Sequence, residues 1–361
     1  MKLKNLTKKI LNHMTKRKTT TSQSKPSARL MLSSGVFALV ALTALLGTST
    51  YLGLRFDAPK PNAAEAAAVL LASSPVTAPP GPDAYANISI MGKAAIVYDL
   101  TNGQTLYSRN SNAALPLASI TKLLTLYSAS GVLLPGSLVT LSSTSLATMN
   151  DAGDSGFKVG ESFTYEDLAR LTLAASSNAG AESIIDAASA IKGTPVANLL
   201  ASAASELHLS QTRATNGTGL DLSPTEAGAY GSARDIALLA GALLRKEPSI
   251  AHATTLPAIT IMSSNGTRHS FANTDIDVTH FPSLLLSKTG YTDLAGGNLV
   301  IVYDAGINHP IAIVVLGSTQ PGRFTDMRTL MSATLAHFAG IAPAQDPHPV
   351  ETPVGSIRVS P

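Results

Sequence analysis

The sequence predicts an α+β fold, a mainly antiparallel sheet flanked by helices with a helical subdomain. Two observations carry this. Short β-type runs stand at both ends of the central part of the chain, and the stretch from about Thr140 to Ala253 reads as mostly helical. Strands gathered at the ends with helices between them place one sheet, closed by pairing of its terminal portions, around a helical insert. The composition permits a large core: 45% of the 361 residues are apolar and only 14% are charged. That balance belongs to a globular enzyme rather than a disordered chain.

Residues 1–29 form a basic tail with nine Lys/Arg and no acid, expected to be cytoplasmic. Setting those nine aside from the total of 26 leaves 17 basic against 23 acidic residues, a net charge of −6, so the pI of about 9.0 is no sign of nucleic-acid binding. Leu30 to Leu54 is uncharged between Arg29 and Arg55. At ~1.5 Å per residue it can span a roughly 30 Å hydrocarbon layer, and the basic flank sets its N-terminus inside. The expectation is a single transmembrane anchor with the rest of the chain on the extracytoplasmic side. The alternative is a cleaved signal sequence, with Ala63 to Ala72 supplying small residues for a peptidase and a secreted product. Residues 55–86, with six prolines around an alanine-rich patch, read as a linker.

The folded domain is expected over 87–340. Ala94 to Leu100 and Gln104 to Tyr107 are β-type runs joined at Asn102-Gly103, a hairpin signal because both residues tolerate positive φ. A helix is expected from Ser119, with Ile120, Leu123, Leu124 and Tyr127 at helical spacing. Thr164-Tyr-Glu-Asp167 and Ser232-Ala-Arg-Asp235 carry helix-start signals. Asn298 to Tyr303 and Pro310 to Leu316 read as a second hairpin, followed by a helix from about Phe324 to Ala339. The proline-rich stretch 341–361 reads as a tail.

Chemistry concentrates in three short motifs: Ser119-Ile-Thr-Lys122, Ser176-Ser-Asn178 and Lys288-Thr-Gly290. Each has decoys: SxxK recurs at Ser22/Lys25, Ser155/Lys158 and Ser189/Lys192, and SxN at Ser108/Asn110 and Ser263/Asn265. Context separates them, because only Ser119 opens an amphipathic helix after a hairpin and a proline-bearing loop. A serine hydroxyl becomes a nucleophile when a base takes its proton, and Lys122 is one turn away on the same face. Lysine serves as base only when neutral, which requires burial or a nearby second cation; Lys288 is the candidate cation. Ser176 and Asn178, at a junction between helical runs, can aim into a cleft, Ser176 to relay a proton and Asn178 to meet substrate or orient Lys122. Lys288 and Thr289 on an edge strand offer charge and hydroxyl to an anion, and Gly290 leaves room for substrate backbone. Zero cysteines exclude thiol chemistry, and the eight histidines show no HExxH-like pairing, so no metal or cofactor is expected. His208 and His269 read as surface or satisfied residues.

In this order the three motifs resemble the signature of the penicillin-binding proteins and serine β-lactamases. The resemblance runs from about Ala86 to Gly340. The segments AAIVYDLTNGQTLYSRN, LPLASITKLLT, AASSNAGAES, NGTGLD, SARDIALLA, SKTGYTDLAGGNLV and GRFTDMRTL are similar to the D-alanyl-D-alanine carboxypeptidase branch. The resemblance implies a β-lactamase/transpeptidase-like fold and an acyl-enzyme on Ser119, with Lys122 as general base and Ser176 as proton relay. It also implies peptidoglycan stem pentapeptides as substrate and β-lactam antibiotics as covalent inhibitors. Backbone N–H groups of Ser119 and Tyr291 would form the oxyanion hole, Asn178 would hold the substrate amide, and Thr289 with Arg323 would meet the terminal carboxylate. Ser177 departs from the pattern, standing where relatives often carry glycine or aspartate. Transpeptidase or endopeptidase action on cross-links shares the motifs, as does a serine β-lactamase, which would want an acid placed to activate water; Glu182 and Asp186 fall instead in a helical run. An inactive peptidoglycan-binding module is disfavoured because every catalytic position holds its chemical type.

Overall fold

Ala94–Asp99 forms β1, and all six of its residues are buried. The chain turns at Asn102-Gly103, with Gly103 in the left-handed region at φ +74°, and returns as β2, Thr105–Arg109. In this computed structural model the described residues are 83–148, 154 and 156–340. The expected basic tail, membrane anchor, most of the linker and the C-terminal tail lie outside them. Among the described residues no helix is long and apolar enough to cross a membrane. Residues 83–86, assigned to the linker by composition, belong to the fold: Ala84 and Tyr85 are buried, and Tyr85 Oη donates to Thr334 Oγ1 at 3.1 Å.

After β3, Leu115–Pro116, a 3-10 turn over Ala118–Thr121 leads into α1, Lys122–Ala129. Ser119 therefore lies in the tight turn just ahead of the α-helix, not at its first residue. The cause is local: Ala118 holds φ +49° and Leu117 supplies no side-chain cap, so the chain enters the helix through a tighter coil. Leu123, Leu124, Leu126 and Tyr127 are all buried, as expected of a helix surrounded by others, and α1 is the centre of the helical part.

The middle of the chain is helical with short strands between: β4 (Leu138–Thr140), α2 (Ser143–Leu146), β5 (Ser162–Thr164), α3 (Tyr165–Ala174), α4 (Asn178–Lys192) and α5 (Val196–Glu206). There follow β6 (Arg213–Ala214), β7 (Ala229–Gly231), α6 (Ala233–Lys246) and α7 (Pro248–Ala253). Both start signals act as expected. Thr164 Oγ1 accepts from Asp167 N and Ser232 Oγ from Asp235 N, each satisfying a first-turn amide. The hairpin of β8 (Ala258–Met262) and β9 (Arg268–Ala272) was not anticipated, although both strands alternate strictly between exposed and buried.

The last three strands, β10 (Leu284–Thr292), β11 (Gly296–Asp304) and β12 (Pro310–Ser318), precede α8 (Gly322–Ala339). The main sheet is antiparallel in the order β10-β11-β12-β1-β2, and β1 pairs with β12, Ala94 facing Leu316. The terminal portions thus close the sheet, as the sequence predicts. Alternation along these strands feeds two cores. Ile96, Val300, Val302 and Val314 face the helical part, while Val97, Ile301, Ile313 and Val315 face Phe324, Met327 and Leu330 of α8. That two-sided burial is why β11 and β12 read as unbroken apolar runs. It leaves β10 as a free edge beside the helices.

Candidate active site

The turn carrying Ser119 is pressed against the β10 edge. A Cβ on Gly290 would lie 2.8 Å from Leu117 O and 3.3 Å from Ile120 N, so the third residue of the KTG motif admits the nucleophile's own turn, a packing role beyond the room for substrate that the sequence suggests. From the other side Gly219, at φ +77°, approaches Ala118 so closely that a Cβ would sit 2.0 Å from its carbonyl oxygen. Ala118 and Ser176, at φ +49° and +60°, both hold the left-handed conformation. Such positions cost non-glycine residues about 1–3 kcal/mol and persist where the surroundings dictate them. Here one directly precedes the nucleophile and the other is the expected relay itself.

Lys122 Nζ lies 2.7 Å from Ser119 Oγ, 2.7 Å from Asn178 Oδ1 and 3.2 Å from Thr218 O. Ser119 is partly exposed, whereas Lys122 is wholly buried. Burial lowers the Lys122 ammonium to about 7, against the opposing pull of Asp154 and Glu182. The neutral amine a base requires is thus populated near neutrality, and burial rather than a second cation achieves it. Lys288 Nζ donates to Ser176 Oγ at 2.8 Å and to Thr289 O at 2.8 Å. Burial first, then Lys122 and Arg323, push Lys288 well below the ordinary lysine range. Asp275 opposes this shift only in part, and an arriving carboxylate would add to the negative charge there.

Ser177 caps α4: its Oγ accepts from Gly180 N at 2.8 Å and donates to the buried carboxylate of Asp154, which also accepts from Asn178 N at 3.1 Å. The departure from glycine or aspartate at this position is therefore structural, a hydroxyl that fixes the helix start from which Asn178 projects. Asn178 orients Lys122, one of the two roles its position suggested. Thr289 Oγ1 donates to Thr274 Oγ1 at 2.7 Å, and Arg323 Nη1 donates to Gly290 O at 2.8 Å. Arg323 is buried, and its Nε finds no partner among the described residues.

On a strand, successive N–H groups point to opposite sides. Ser287 N donates outward to Thr254 Oγ1 at 2.8 Å, so Tyr291 N, four residues on, also faces the free edge of β10, beside the Ser119 turn. The Tyr291 ring is exposed, which leaves the backbone as its contribution. The structure thus gathers the sequence-predicted residues at one seam between sheet and helices. It adds Asp154, Thr218, Gly219 and Thr274. Thr218 and Gly219 stood in the quoted NGTGLD segment; Asp154 and Thr274 are brought in by contacts distant in sequence and left no local signal. His269, expected to be satisfied, is buried with its Nε2 3.2 Å from Glu161 Oε1, and His208 is exposed, both away from these contacts.

Comparison with known proteins agrees with this geometry. The profile of the D-alanyl-D-alanine carboxypeptidase family matches residues 80–320. The chain is 28% identical to D-alanyl-D-alanine carboxypeptidase DacF of Bacillus subtilis over 68% of its own length and 62% of that protein's. It is 30% identical to a D-alanyl-D-alanine endopeptidase of Pseudomonas aeruginosa over 71% of this chain and 81% of the relative. Penicillin-binding protein D2 of Listeria monocytogenes, solved in an ampicillin-bound form, superposes with a TM-score of 0.58 at 24% identity, covering 68% of this chain and 98% of that one. This likeness establishes a penicillin-binding, transpeptidase-like α+β fold. With the family profile spanning two thirds of the sequence and the three motifs converging at one seam, the chain belongs to the D-alanyl-D-alanine carboxypeptidase family.

Proposed function

We propose that the protein is a serine-type D-alanyl-D-alanine carboxypeptidase that removes the terminal D-alanine from peptidoglycan stem pentapeptides. The observation that carries this is the buried Lys122 amine, 2.7 Å from Ser119 Oγ and lowered to about 7. Neutral Lys122 takes the Ser119 proton as Oγ attacks the carbonyl between the two D-alanines. Negative charge on the carbonyl oxygen is met by the N–H groups of Ser119 and Tyr291. As the C–N bond breaks, the proton passes through Ser176 to the leaving amine of D-alanine, and water then cleaves the acyl-enzyme ester. The cationic Arg323, with Lys288 and the Thr289 hydroxyl, supports binding of the terminal carboxylate.

β-Lactams, as in the ampicillin-bound Listeria protein, would acylate the same Ser119. The uncharged run 30–54 behind its basic flank supports an exported enzyme held to the membrane by that segment, or released if it is cleaved. The endopeptidase relative favours a second reading, in which the acyl-enzyme forms from a cross-linked stem. Two assays decide. Fluorescent penicillin should label the wild type and not Ser119→Ala, and equal labelling of both would end the mechanism. Release of D-alanine from a pentapeptide mimic, set beside cleavage of a cross-linked dimer, then separates carboxypeptidase from endopeptidase.

A further inference from the structure

Thr274, in the loop between β9 and β10, belongs to none of the three motifs, yet it occupies the approach to Thr289. Thr289 is buried and its hydroxyl proton is committed to Thr274 Oγ1 at 2.7 Å, whereas Thr274 is only partly buried. A group arriving from solvent meets the Thr274 hydroxyl first. The Thr274 proton points at Ala174 O across 3.4 Å, the outer limit of a hydrogen bond, so it is available to a better acceptor.

The surroundings select an anion. Thr274 and Arg323 line the same cavity of about 590 Å³, together with Gln320, Thr325 and Arg328. Arg323 brings a buried guanidinium whose Nε lacks a partner among the described residues. Arg328 is already engaged by Asp277, so Arg323 is the cation left for a ligand at the Thr274 end. The loop is also held in place. Thr274 N donates to Ala174 O at 3.0 Å, two residues before Ser176, and the next carboxylate, Asp275, accepts from Ser287 Oγ at 2.5 Å and from Asp277 N at 2.9 Å. Thr274 is thereby fixed to both the end of α3, just before Ser176, and the strand that carries Lys288.

We infer that Thr274 is a substrate-binding residue, its hydroxyl donating to the terminal carboxylate of the substrate in series with Thr289 and beside Arg323. Hydrogen bonds in series polarise one another, and a bond to a charged acceptor is stronger than one between neutral groups. The inference rests on the carboxypeptidase reading above.

An acyl-D-alanyl thioester whose leaving group ends in a carboxylate, compared with the methyl ester of the same compound, tests it. Thr274→Val should lower kcat/KM on the carboxylate form about tenfold or more and change the ester form less than about twofold. Thr274→Ser should restore the carboxylate form to within about threefold of wild type. An equal loss on both compounds would make Thr274 a loop support and overturn the proposal, as would an unaffected Thr274→Val. A wild type that turns over neither compound and takes no fluorescent penicillin would instead overturn the carboxypeptidase reading, and this inference with it.

Discussion

The side chain of Lys122 decides whether this site can work near neutral pH. Burial lowers it to about 7, so the protonated form dominates below that value and the free amine above it. The sign follows directly: Ser119 acylation should rise as pH increases through about 7, then level off. Measured as kcat/KM or penicillin acylation rate against pH, a limb that falls with rising pH across this range would contradict the role of Lys122 as base. Lys122→Arg keeps the charge but has no accessible neutral state, so acylation should drop by roughly 10²-fold or more at every pH tested. The decoy motifs differ at this same scale. Ser189 donates to Thr194 O near the end of α4, Ser263 to Asn265 Oδ1 in a hairpin turn, and Ser108 to Ser111 beside a positive-φ Asn110. Each hydroxyl serves a local turn, and none has a buried lysine at its oxygen.

At the scale of elements, the site depends on how closely β10 approaches the turn before α1, and Gly290 sets that distance. In Gly290→Ala the added methyl would stand 2.8 Å from Leu117 O and 3.2 Å from Ile120 Cγ1, and the obstacle is partly backbone. Overpacking of this kind costs about 1–3 kcal/mol. The expected result is a melting temperature lower by several degrees and an acylation rate lower by more than tenfold, since the displaced turn carries Ser119. A variant with wild-type acylation would show that the turn is free to shift. Much of this was legible in the chain: the β1–β2 turn, both helix caps and the β11–β12 hairpin follow from local patterns that tertiary contacts reinforce. What was not legible is instructive. The β8–β9 hairpin has period-two alternation around Ser264-Asn-Gly266, but strands of five residues give only a short run of that pattern. The tight turn at Ser119 depends on the left-handed Ala118, a conformation imposed from outside, because Gly219 and Gly290 close on it from two sides. The three motifs were legible because they carry chemistry in their residue types; Thr274 and Asp154 were not, because a threonine or an aspartate in a loop acquires meaning only from what folds against it.

For the whole molecule, the seam between sheet and helices is held by the same groups that do the chemistry. Lys288 on β10 reaches Ser176 at 2.8 Å, Thr289 reaches the loop that is pinned to the end of α3, and Lys122 on α1 reaches Asn178 on α4. Lys122 and Lys288 form no carboxylate ion pair among the described residues, and such buried lysines are costly to keep, so in the free enzyme the seam is less stable than its packing alone would make it. An acyl group joined to Ser119 would add contacts to both sides, Asn178 from the helices and the β10 edge from the sheet. A penicillin would also bring a carboxylate to the cations gathered there. A ligand that stabilises only the folded state shifts the folding equilibrium toward it. Acylation by a penicillin should therefore raise the melting temperature, by roughly 2–4 °C for each kcal/mol gained in a domain of this size. The same penicillin should leave Ser119→Ala within about 1 °C of its unliganded value at low drug concentration, because binding without the covalent bond is weak and mass action contributes little. Thermal unfolding of both proteins with and without the drug reads this out. A wild type that is labelled stoichiometrically yet melts unchanged would mean that the acyl group bridges nothing, and that the seam owes its stability to the two hydrophobic cores alone.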